Sequence, residues 1–366
     1  MSLLAKYGAY TGKDLMTREI PPPSFIVDGL IPEGLSYIIA APKIGKSWMV
    51  LDLALAVTQG TPFLGVIPVE KRPVLYMALE DNDGRMQARA RNLGIESLPD
   101  SIAFVHTVPP NEVHEMIAEF MTLYRFEKPL VIVDTLGKVM MGKSPNSSAF
   151  QHDYEMSSRF LKTAKEHGGS VVIVHHNRKA SSDDFLEDAS GTQGITAAAD
   201  GVLVIRRDRG EADGDLYVTG RDVNDGAYSV TFNDGKWTLV GSNLPEAGRA
   251  HGQQSITAGL APLQAAIARL AYDSMPNPIG GEIVAEKLWD MLPGDDSDSK
   301  RKRALDEMRR LKDAATPRLK QAGRGFYTSV ENVEIAEKES GPEVTAPAVI
   351  QQQLDNAEIA LEGLQW

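Results

Sequence analysis

Short apolar runs recur along the first two thirds of the chain and alternate with longer segments of helical periodicity. The earlier runs are apolar at nearly every position, which is typical of strands that are buried on both faces of a sheet. Their alternation with helical segments predicts an α/β domain with a doubly wound, mostly parallel sheet over residues 35–240. The runs are Leu35–Ala41, Val74–Leu79, Ile102–His106, Leu130–Asp134, Ser170–His175, Gly201–Ile205, Asp215–Val218, Tyr228–Phe232 and Trp237–Val240.

The last three runs are more polar and lie closer together than the earlier ones. Asn233-Asp234-Gly235 separates the final two, and this composition is typical of a tight hairpin turn. We therefore expect antiparallel strands at this end of the sheet.

Composition changes mark the borders of the predicted α/β domain. Residues 1–34 are interpreted as an N-terminal arm, because Ile20-Pro21-Pro22-Pro23 favours extended backbone. Residues 241–259 are rich in glycine and polar residues and are interpreted as a linker. Residues 331–366 are acidic and poor in core-forming residues, so they are predicted to be a disordered tail.

A small helical module is predicted over residues 260–330. The pattern gives helices over Pro262–Tyr272, Gly281–Leu292 and Lys300–Asp313, with Ser299 as a candidate N-cap. Leu319–Ser329 resembles a short β-wing that ends in an aromatic strand. Three helices and a wing together predict a winged helix-turn-helix, a nucleic-acid-binding domain.

Composition excludes some classes of chemistry and leaves others open. The chain has 366 residues and no cysteine, which rules out disulfides, thiolate metal sites and cysteine nucleophiles. No apolar run reaches the length of a membrane span, and the first residues lack the apolar core of a signal peptide, so a cytoplasmic location is expected. The net charge of −12 argues against a uniformly basic surface but leaves room for a local one.

The segment that follows the first apolar run carries the strongest chemical signal. Pro42-Lys43-Ile44-Gly45-Lys46-Ser47 joins a predicted strand to a predicted helix in the arrangement of a phosphate-binding loop, with Ala40 at the position of the usual first glycine. Backbone N–H groups from Lys43 to Ser47 are expected to face the phosphates of ATP. Lys46 would reach the β- and γ-phosphates, and the Ser47 hydroxyl would bind Mg²⁺. The predicted nucleotide-binding residues are Pro42, Lys43, Ile44, Gly45, Lys46, Ser47 and Trp48.

Three other predicted strands end in polar side chains that suit ATP hydrolysis. Asp134 ends one of them and would hold the Mg²⁺ ion. Glu80 ends another and would act as the base that orients the attacking water, with Asp81 as the competing candidate. His176 ends the third and would contact the γ-phosphate, with His175 packed or facing away.

Two later segments have a functional and a plain structural interpretation. Gly191, Thr192 and Gln193 could form a loop that contacts a nucleic-acid backbone, or simply a loop before a helix. Arg221 lies at the end of the predicted strand Leu216–Thr219 and could be an arginine finger for the ATP of a neighbouring subunit, or an isolated surface arginine.

Basic residues are concentrated between Lys300 and Arg324, where ten lysines and arginines face three acidic residues. Such a concentration on a helix and its wing is typical of a phosphate-binding surface, although a solvated helix face or a protein–protein module would have the same composition. The candidate DNA-binding residues are Lys300, Arg301, Arg303, Arg309, Arg310 and Arg324.

The motifs, taken in order, resemble those of the RepA/DnaB-type hexameric replicative helicases, with the RepA-like plasmid and phage members most similar. The resemblance runs from about Asp28 to Val240 and rests on AAPKIGKS, LYMALED, LVIVDT and VIVHHNRK. It implies a RecA-like fold and a bacterial, plasmid or phage origin. It also implies that Glu80 is the catalytic glutamate, His176 the γ-phosphate sensor and Arg221 the arginine finger.

The sequence thus predicts an ATP- and Mg²⁺-dependent, ring-forming DNA helicase or translocase of replication or repair. The expected assembly is a homo-hexamer on single-stranded DNA, with duplex contacts possible through the winged helix and no membrane partner. One alternative is a RecA-fold ATPase that does not unwind DNA and acts as a loader, recombination mediator or regulator. Another is a protein whose main task is sequence-specific DNA recognition.

Overall fold

A computed structural model describes residues 6–139, 149–176 and 197–330. The chain divides into two compact units, residues 1–251 and 252–366. The first contains a nine-stranded mixed sheet. Its strands are β3 (Leu35–Ala40), β4 (Val74–Ala78), β5 (Ile102–Val105), β6 (Leu130–Asp134), β7 (Ser170–His176), β8 (Gly201–Arg207), β9 (Asp213–Gly220), β10 (Gly226–Asn233) and β11 (Lys236–Leu239). Their order across the sheet is β11-β10-β9-β8-β3-β7-β6-β4-β5.

The helices of the first unit lie before, between and after these strands in the chain. Their bounds are α1 (Gly12–Thr17), α2 (Lys46–Gln59), α3 (Asp83–Asn92), α4 (Val113–Leu123), α5 (Leu136–Val139), α6 (Ala149–His167) and α7 (Leu244–Thr257), the last of which contains the unit boundary. Among the residues that the structure describes, no helix combines the length and the apolar character that a membrane span requires.

The side chains of the central strand β3 alternate between the two faces of the sheet, and both faces are covered. Ile38 packs into one apolar cluster together with Leu51 and Leu55 of α2. Tyr37 and Ile39 point the other way, into the second apolar cluster. Every residue of β3 is buried, as the uninterrupted apolar pattern predicts for a strand with helices on both sides. The predicted α/β sheet is confirmed.

The strand directions agree with the sequence pattern. Neighbouring strands from β8 through β3, β7, β6 and β4 to β5 pair in parallel, whereas β8, β9, β10 and β11 pair antiparallel. The predicted hairpin turn joins β10 to β11, where Asp234 and Gly235 both have positive φ angles, 49° and 85°. That conformation is the one a two-residue hairpin with the right twist requires.

The region predicted as an N-terminal arm contains ordered elements. Helix α1 buries no residue and begins with a capping box between Thr11 and Asp14. Strands β1 (Phe25–Val27) and β2 (Ile31–Pro32) pair antiparallel, and their apolar side chains are buried in the core of the first unit. Leu30 between them is fully buried as well, so the last part of residues 1–34 packs with the α/β domain.

Residues 241–259, interpreted as a linker, are largely helical because α7 occupies Leu244–Thr257. Ala247 on α7 is fully buried in the core of the first unit, and His251 bonds Asp215 of β9 with a distance of 2.8 Å between Nδ1 and Oδ1. An apolar side and a fixed polar contact hold this helical stretch against the sheet.

The second unit has a small core of its own. Helices α8 (Pro262–Asp273), α9 (Gly281–Lys287) and α10 (Ser297–Asp313) pack with an antiparallel sheet of order β12-β14-β13. The strands are β12 (Ile279–Gly280), β13 (Leu319–Gly323) and β14 (Phe326–Ser329). The N-cap of α10 is Asp296, whose side chain accepts a hydrogen bond from Ser299 N–H, so the expected cap Ser299 already lies inside the helix.

Candidate nucleotide-binding site

The loop between β3 and α2 has the backbone geometry of a phosphate-binding loop. Lys43 and Gly45 have φ angles of 67° and 99°, which turn the chain sharply after the strand. Helix α2 begins at Lys46 without a side-chain cap, so the N–H groups of its first turn are available to an anion. Pro42 and Lys43 are exposed, while Ser47 and Trp48 are half-buried.

The antiparallel end of the sheet supports this loop from one side. Trp237 donates its indole N–H to the Gly45 carbonyl at 3.0 Å, and Arg207 donates to the Ile44 carbonyl at 3.0 Å. The Arg207 guanidinium lies over the Phe232 ring, 4.6 Å from its centroid. A Cβ atom on Gly45 would lie 3.1 Å from that same ring, so both the φ angle and the close approach require glycine here.

Strand register explains why the predicted catalytic side chains meet. Ala40 pairs with His176, and Asp134 pairs with Ala78, two residues before Glu80. The carboxyl ends of β3, β7, β6 and β4 therefore lie at one edge of the sheet, where open α/β sheets bind their ligands.

Lys46 lies at the centre of the polar network at this edge. Its side chain is only 5% exposed, and its ammonium donates to His176 Nδ1 at 2.9 Å. His176 Nε2 in turn lies 3.3 Å from Glu80 Oε2. Both contacts are satisfied when Nδ1 accepts from Lys46 and Nε2–H donates to Glu80.

Glu80 is held in its ionised form by its neighbours. Thr135 Oγ1 donates to Glu80 Oε1 at 3.0 Å. Burial raises the pKa of Glu80, but the hydrogen bonds from His176 and Thr135 and the charge of Lys46 outweigh it, so the pKa falls below the usual value. A carboxylate that is charged and partly exposed can accept a proton or orient a water.

Asp134 is more buried than Glu80 and accepts a hydrogen bond from a buried tyrosine. The Tyr76 hydroxyl donates to Asp134 Oδ2 at 3.1 Å. Burial raises the pKa of Asp134, while the charge of Lys46 and the Tyr76 hydrogen bond lower it by less. A buried carboxylate of this kind gains from a nearby cation, because charge without a partner is costly there.

Asp81, the competing candidate for the base, is engaged elsewhere. Its carboxylate bonds both Arg85 and Arg89, and Arg85 also donates to the Glu80 carbonyl at 3.1 Å. Burial raises the pKa of Asp81, but the two arginines more than offset this and lower it. The geometry favours Glu80 as the reacting carboxylate, with Asp81 fixing the chain beside it.

Arg221 lies at the opposite edge of the sheet from this network. Its backbone N–H donates to Asp200 at 3.0 Å, and Asp200 N–H donates to Leu35, the first residue of β3. The phosphate loop follows the other end of β3, about 16 Å away at the usual rise per residue. The Arg221 side chain is 56% exposed and donates to the Ala197 carbonyl. Arg221 is therefore outside the site formed by its own chain.

The basic residues of the second unit fall into bonded and open groups. Lys300 is only 6% exposed and donates to the Trp289 carbonyl at 2.6 Å, which removes it from the surface predicted to contact DNA. Arg303 and Arg310 both bond the buried Glu307, and Arg301 bonds Glu282. Arg309 is 61% exposed and bonds Asp306 across one turn, and Arg324 is exposed in the β13–β14 hairpin.

One predicted segment lies outside the described residues, and four residues that were not predicted contribute to the site. Gly191, Thr192 and Gln193 lie outside the described residues. Thr135, Tyr76, Arg207 and Trp237 contribute to the site but were not expected from the sequence. Thr135 and Tyr76 could have been noticed as polar groups in or beside otherwise aliphatic buried strands.

These features define a P-loop ATPase domain of RecA-like topology. A phosphate loop follows the central strand, a buried lysine lies in the helix after it, and an acidic residue ends a nearby strand. Residues 7–182 match the family described as AAA domain. The match supports the resemblance to RepA/DnaB-type ATPases that the motifs carry.

Comparison with solved structures gives weaker similarities. One structure, described as an ATPase domain, matches with a TM-score of 0.46 and 14% identity, covering 57% of this chain and 85% of that one. A DnaB-like replicative helicase, described together with its interactions with primase, matches with a TM-score of 0.48 and 13% identity, covering 66% and 68%. No curated protein shows significant sequence similarity to this chain.

Nucleotide affinity should depend on pH through Lys46. Burial lowers the pKa of Lys46 to about 8, only partly offset by the charges of Asp134 and Glu80. The ammonium therefore loses its proton as the pH rises through that value, and phosphate binding weakens by up to about tenfold per pH unit above it. Titration of a fluorescent ADP analogue at several pH values measures this, and Lys46→Arg is the control that keeps its charge. Equal affinities on both sides of the Lys46 pKa would contradict the prediction.

Proposed function

We propose that this protein is an ATP-dependent, ring-forming DNA translocase or helicase that acts on single-stranded DNA. The observation that carries the proposal is the separation of Arg221 from Lys46, Glu80 and His176 across the length of β3. A P-loop ATPase accelerates phosphoryl transfer strongly when an arginine neutralises the developing charge. Placed at the far edge, Arg221 is suited to a neighbouring subunit rather than to its own chain.

The residues present fit ATP with Mg²⁺. Asp134 is a buried carboxylate, and Ser47 lies in the first turn of α2, which packs against β6. Asp134 and Ser47 would hold the ion, which supplies charge neutralisation to the phosphates when bound. Lys46 would bind the β- and γ-phosphates, and Glu80 would orient the attacking water.

His176 would connect hydrolysis to movement. It contacts both Lys46 and Glu80 and ends β7, directly before residues 177–196. A γ-phosphate bound between Lys46 and Glu80 would replace the direct contact between His176 and Lys46. Its loss would restore that contact, so His176 is suited to transmit the nucleotide state to the segment that contains Gly191, Thr192 and Gln193.

The second unit is proposed to be a winged helix that binds DNA. Three helices with a β13–β14 hairpin support this, as do the exposed side chains of Arg309 and Arg324. The hairpin is the wing in this interpretation. Since Lys300 is buried and Arg303 and Arg310 are bonded to Glu307, they would help to hold α10 in shape instead.

A paired assay of ATP hydrolysis and strand displacement tests the proposed function. Single-stranded DNA is expected to stimulate hydrolysis, and a forked duplex is expected to be unwound only with ATP. Lys46→Ala should abolish both, because the phosphates lose their only buried cation among the described residues of the site. Stimulated hydrolysis without displacement would identify an ATPase that loads or regulates, and duplex binding that survives Lys46→Ala with no hydrolysis would point to a DNA-binding protein.

A further inference from the structure

Two exposed aromatic rings stand parallel on the first turns of α6. Phe150 and Tyr154 are 49% and 44% exposed, and their ring planes differ by only 8°. The ring centroids lie 6.2 Å apart. The pair leaves aromatic surface in contact with water, and contiguous exposed apolar surface often marks a binding site.

The aromatic pair lies towards the edge of the sheet that carries the nucleotide-binding residues. Helix α6 leads back to β7, which is parallel to β6, so the first turns of α6 lie towards the carboxyl edge of the sheet. That is the edge that carries Lys46 and Glu80. A ligand on Phe150 and Tyr154 would therefore lie on the side of the domain where nucleotide hydrolysis would be coupled to movement.

The same face of α6 continues from aromatic to basic residues. Phe150, Tyr154, Ser158, Lys162 and Lys165 follow one another at intervals of three or four residues, which places them in one stripe along the helix. Lys162 is 72% exposed and pairs with the exposed Glu166 one turn later at 3.7 Å, and Lys165 is exposed as well. Aromatic rings followed by ammonium groups offer stacking surfaces and phosphate contacts in one line.

We propose that this stripe binds single-stranded DNA by stacking nucleobases on Phe150 and Tyr154 while Lys162 and Lys165 contact the phosphates. The exposed faces of the two rings offer the kind of stacking surface on which proteins hold the bases of single strands. The lysines supply the positive charge that complements a phosphate backbone, whereas an apolar protein partner would not pair with them. The inference rests on the proposed function, because it assigns part of its DNA site.

The test compares ordinary and abasic single strands in fluorescence anisotropy titrations. Wild-type protein with a non-hydrolysable ATP analogue is expected to bind fluorescein-labelled oligothymidylate about tenfold or more tightly than an abasic strand of equal length. The double variant Phe150→Leu with Tyr154→Leu should lose that preference and bind both strands alike. Leucine keeps the apolar bulk and suits a helix, so α6 should fold. The matched control is Phe126→Leu, which removes a ring that is 86% exposed elsewhere in the domain.

Each outcome distinguishes the inference from the proposed function. A lost preference in the double variant, with the Phe126→Leu control unchanged, supports base stacking at α6. A preference that survives in the double variant, or wild-type protein that binds both strands equally, overturns the stacking site and leaves the proposed function standing. Wild-type protein that binds neither strand overturns the proposed function itself. A double variant that no longer forms the wild-type oligomer overturns the inference in favour of a subunit contact at these rings.

Discussion

Glu80→Gln should bind ATP as wild-type protein does and hydrolyse it about a hundred- to ten-thousandfold more slowly. Glutamine keeps the shape of the side chain and can still accept a hydrogen bond from Thr135, so the phosphate loop should keep its structure. What is lost is the charge that orients water and accepts its proton. Single-turnover hydrolysis and a separate nucleotide-binding titration measure the two effects.

Asp81→Asn is the discriminating control for this variant, because both residues follow strand β4. Asp81 holds Arg85 and Arg89, so its loss should lower the thermal unfolding temperature while leaving hydrolysis closer to wild type. A larger loss of hydrolysis in Asp81→Asn than in Glu80→Gln would make Asp81 the base and overturn the assignment.

Arg221→Ala is expected to lower the rate of hydrolysis by about a thousandfold without weakening nucleotide binding by its own chain. The side chain is mostly exposed and lies about 16 Å from the phosphate loop along β3, so it has no contact with a nucleotide bound there. The effect should therefore appear only in the assembled protein and only in the catalytic rate.

Arg125→Ala provides a control of the same residue type, since Arg125 is exposed in the turn between α4 and β6. It should hydrolyse ATP at the wild-type rate. Hydrolysis rates that fall equally in both variants would indicate a general effect of surface charge and would contradict an arginine finger at Arg221.

The sequence predicted the architecture well where periodicity is strong. Uninterrupted apolar runs such as Leu35–Ala41 and Leu130–Asp134 correspond closely to buried parallel strands β3 and β6. Because the carboxyl ends of such strands meet at one edge, the contacts among Lys46, Glu80 and His176 followed from the order of the motifs.

The contacts between the phosphate-binding loop and the antiparallel strands could not be predicted from the spacing of motifs in the sequence. Arg207 and Trp237 support the carbonyls of Ile44 and Gly45 although they lie far from the loop in sequence. Only the strand order, in which the antiparallel strands extend the sheet beside β3, brings them there. The aromatic and cationic residues at those strand ends had no motif to mark them.

Charge composition was a poor guide to exposure in the second unit. Lys300 belongs to a basic run, yet it lies over the Trp289 ring at 4.0 Å and bonds the carbonyl of the same residue. Residues 241–259 likewise had the composition of a linker while Leu244–Thr257 form α7. In both stretches a few specific side-chain contacts decide the structure, and composition does not report them.

Mixing two inactive variants tests the shared site most directly. Lys46→Ala subunits retain Arg221, and Arg221→Ala subunits retain Lys46, so a mixed ring contains interfaces at which both residues are intact. In equal proportions, about a quarter of head-to-tail interfaces should be of this kind, and hydrolysis should recover accordingly. Differently tagged subunits that purify together show that mixed assemblies have formed. Mixed assemblies as inactive as either variant alone, or Arg221→Ala protein that is fully active by itself, would contradict a site shared between subunits.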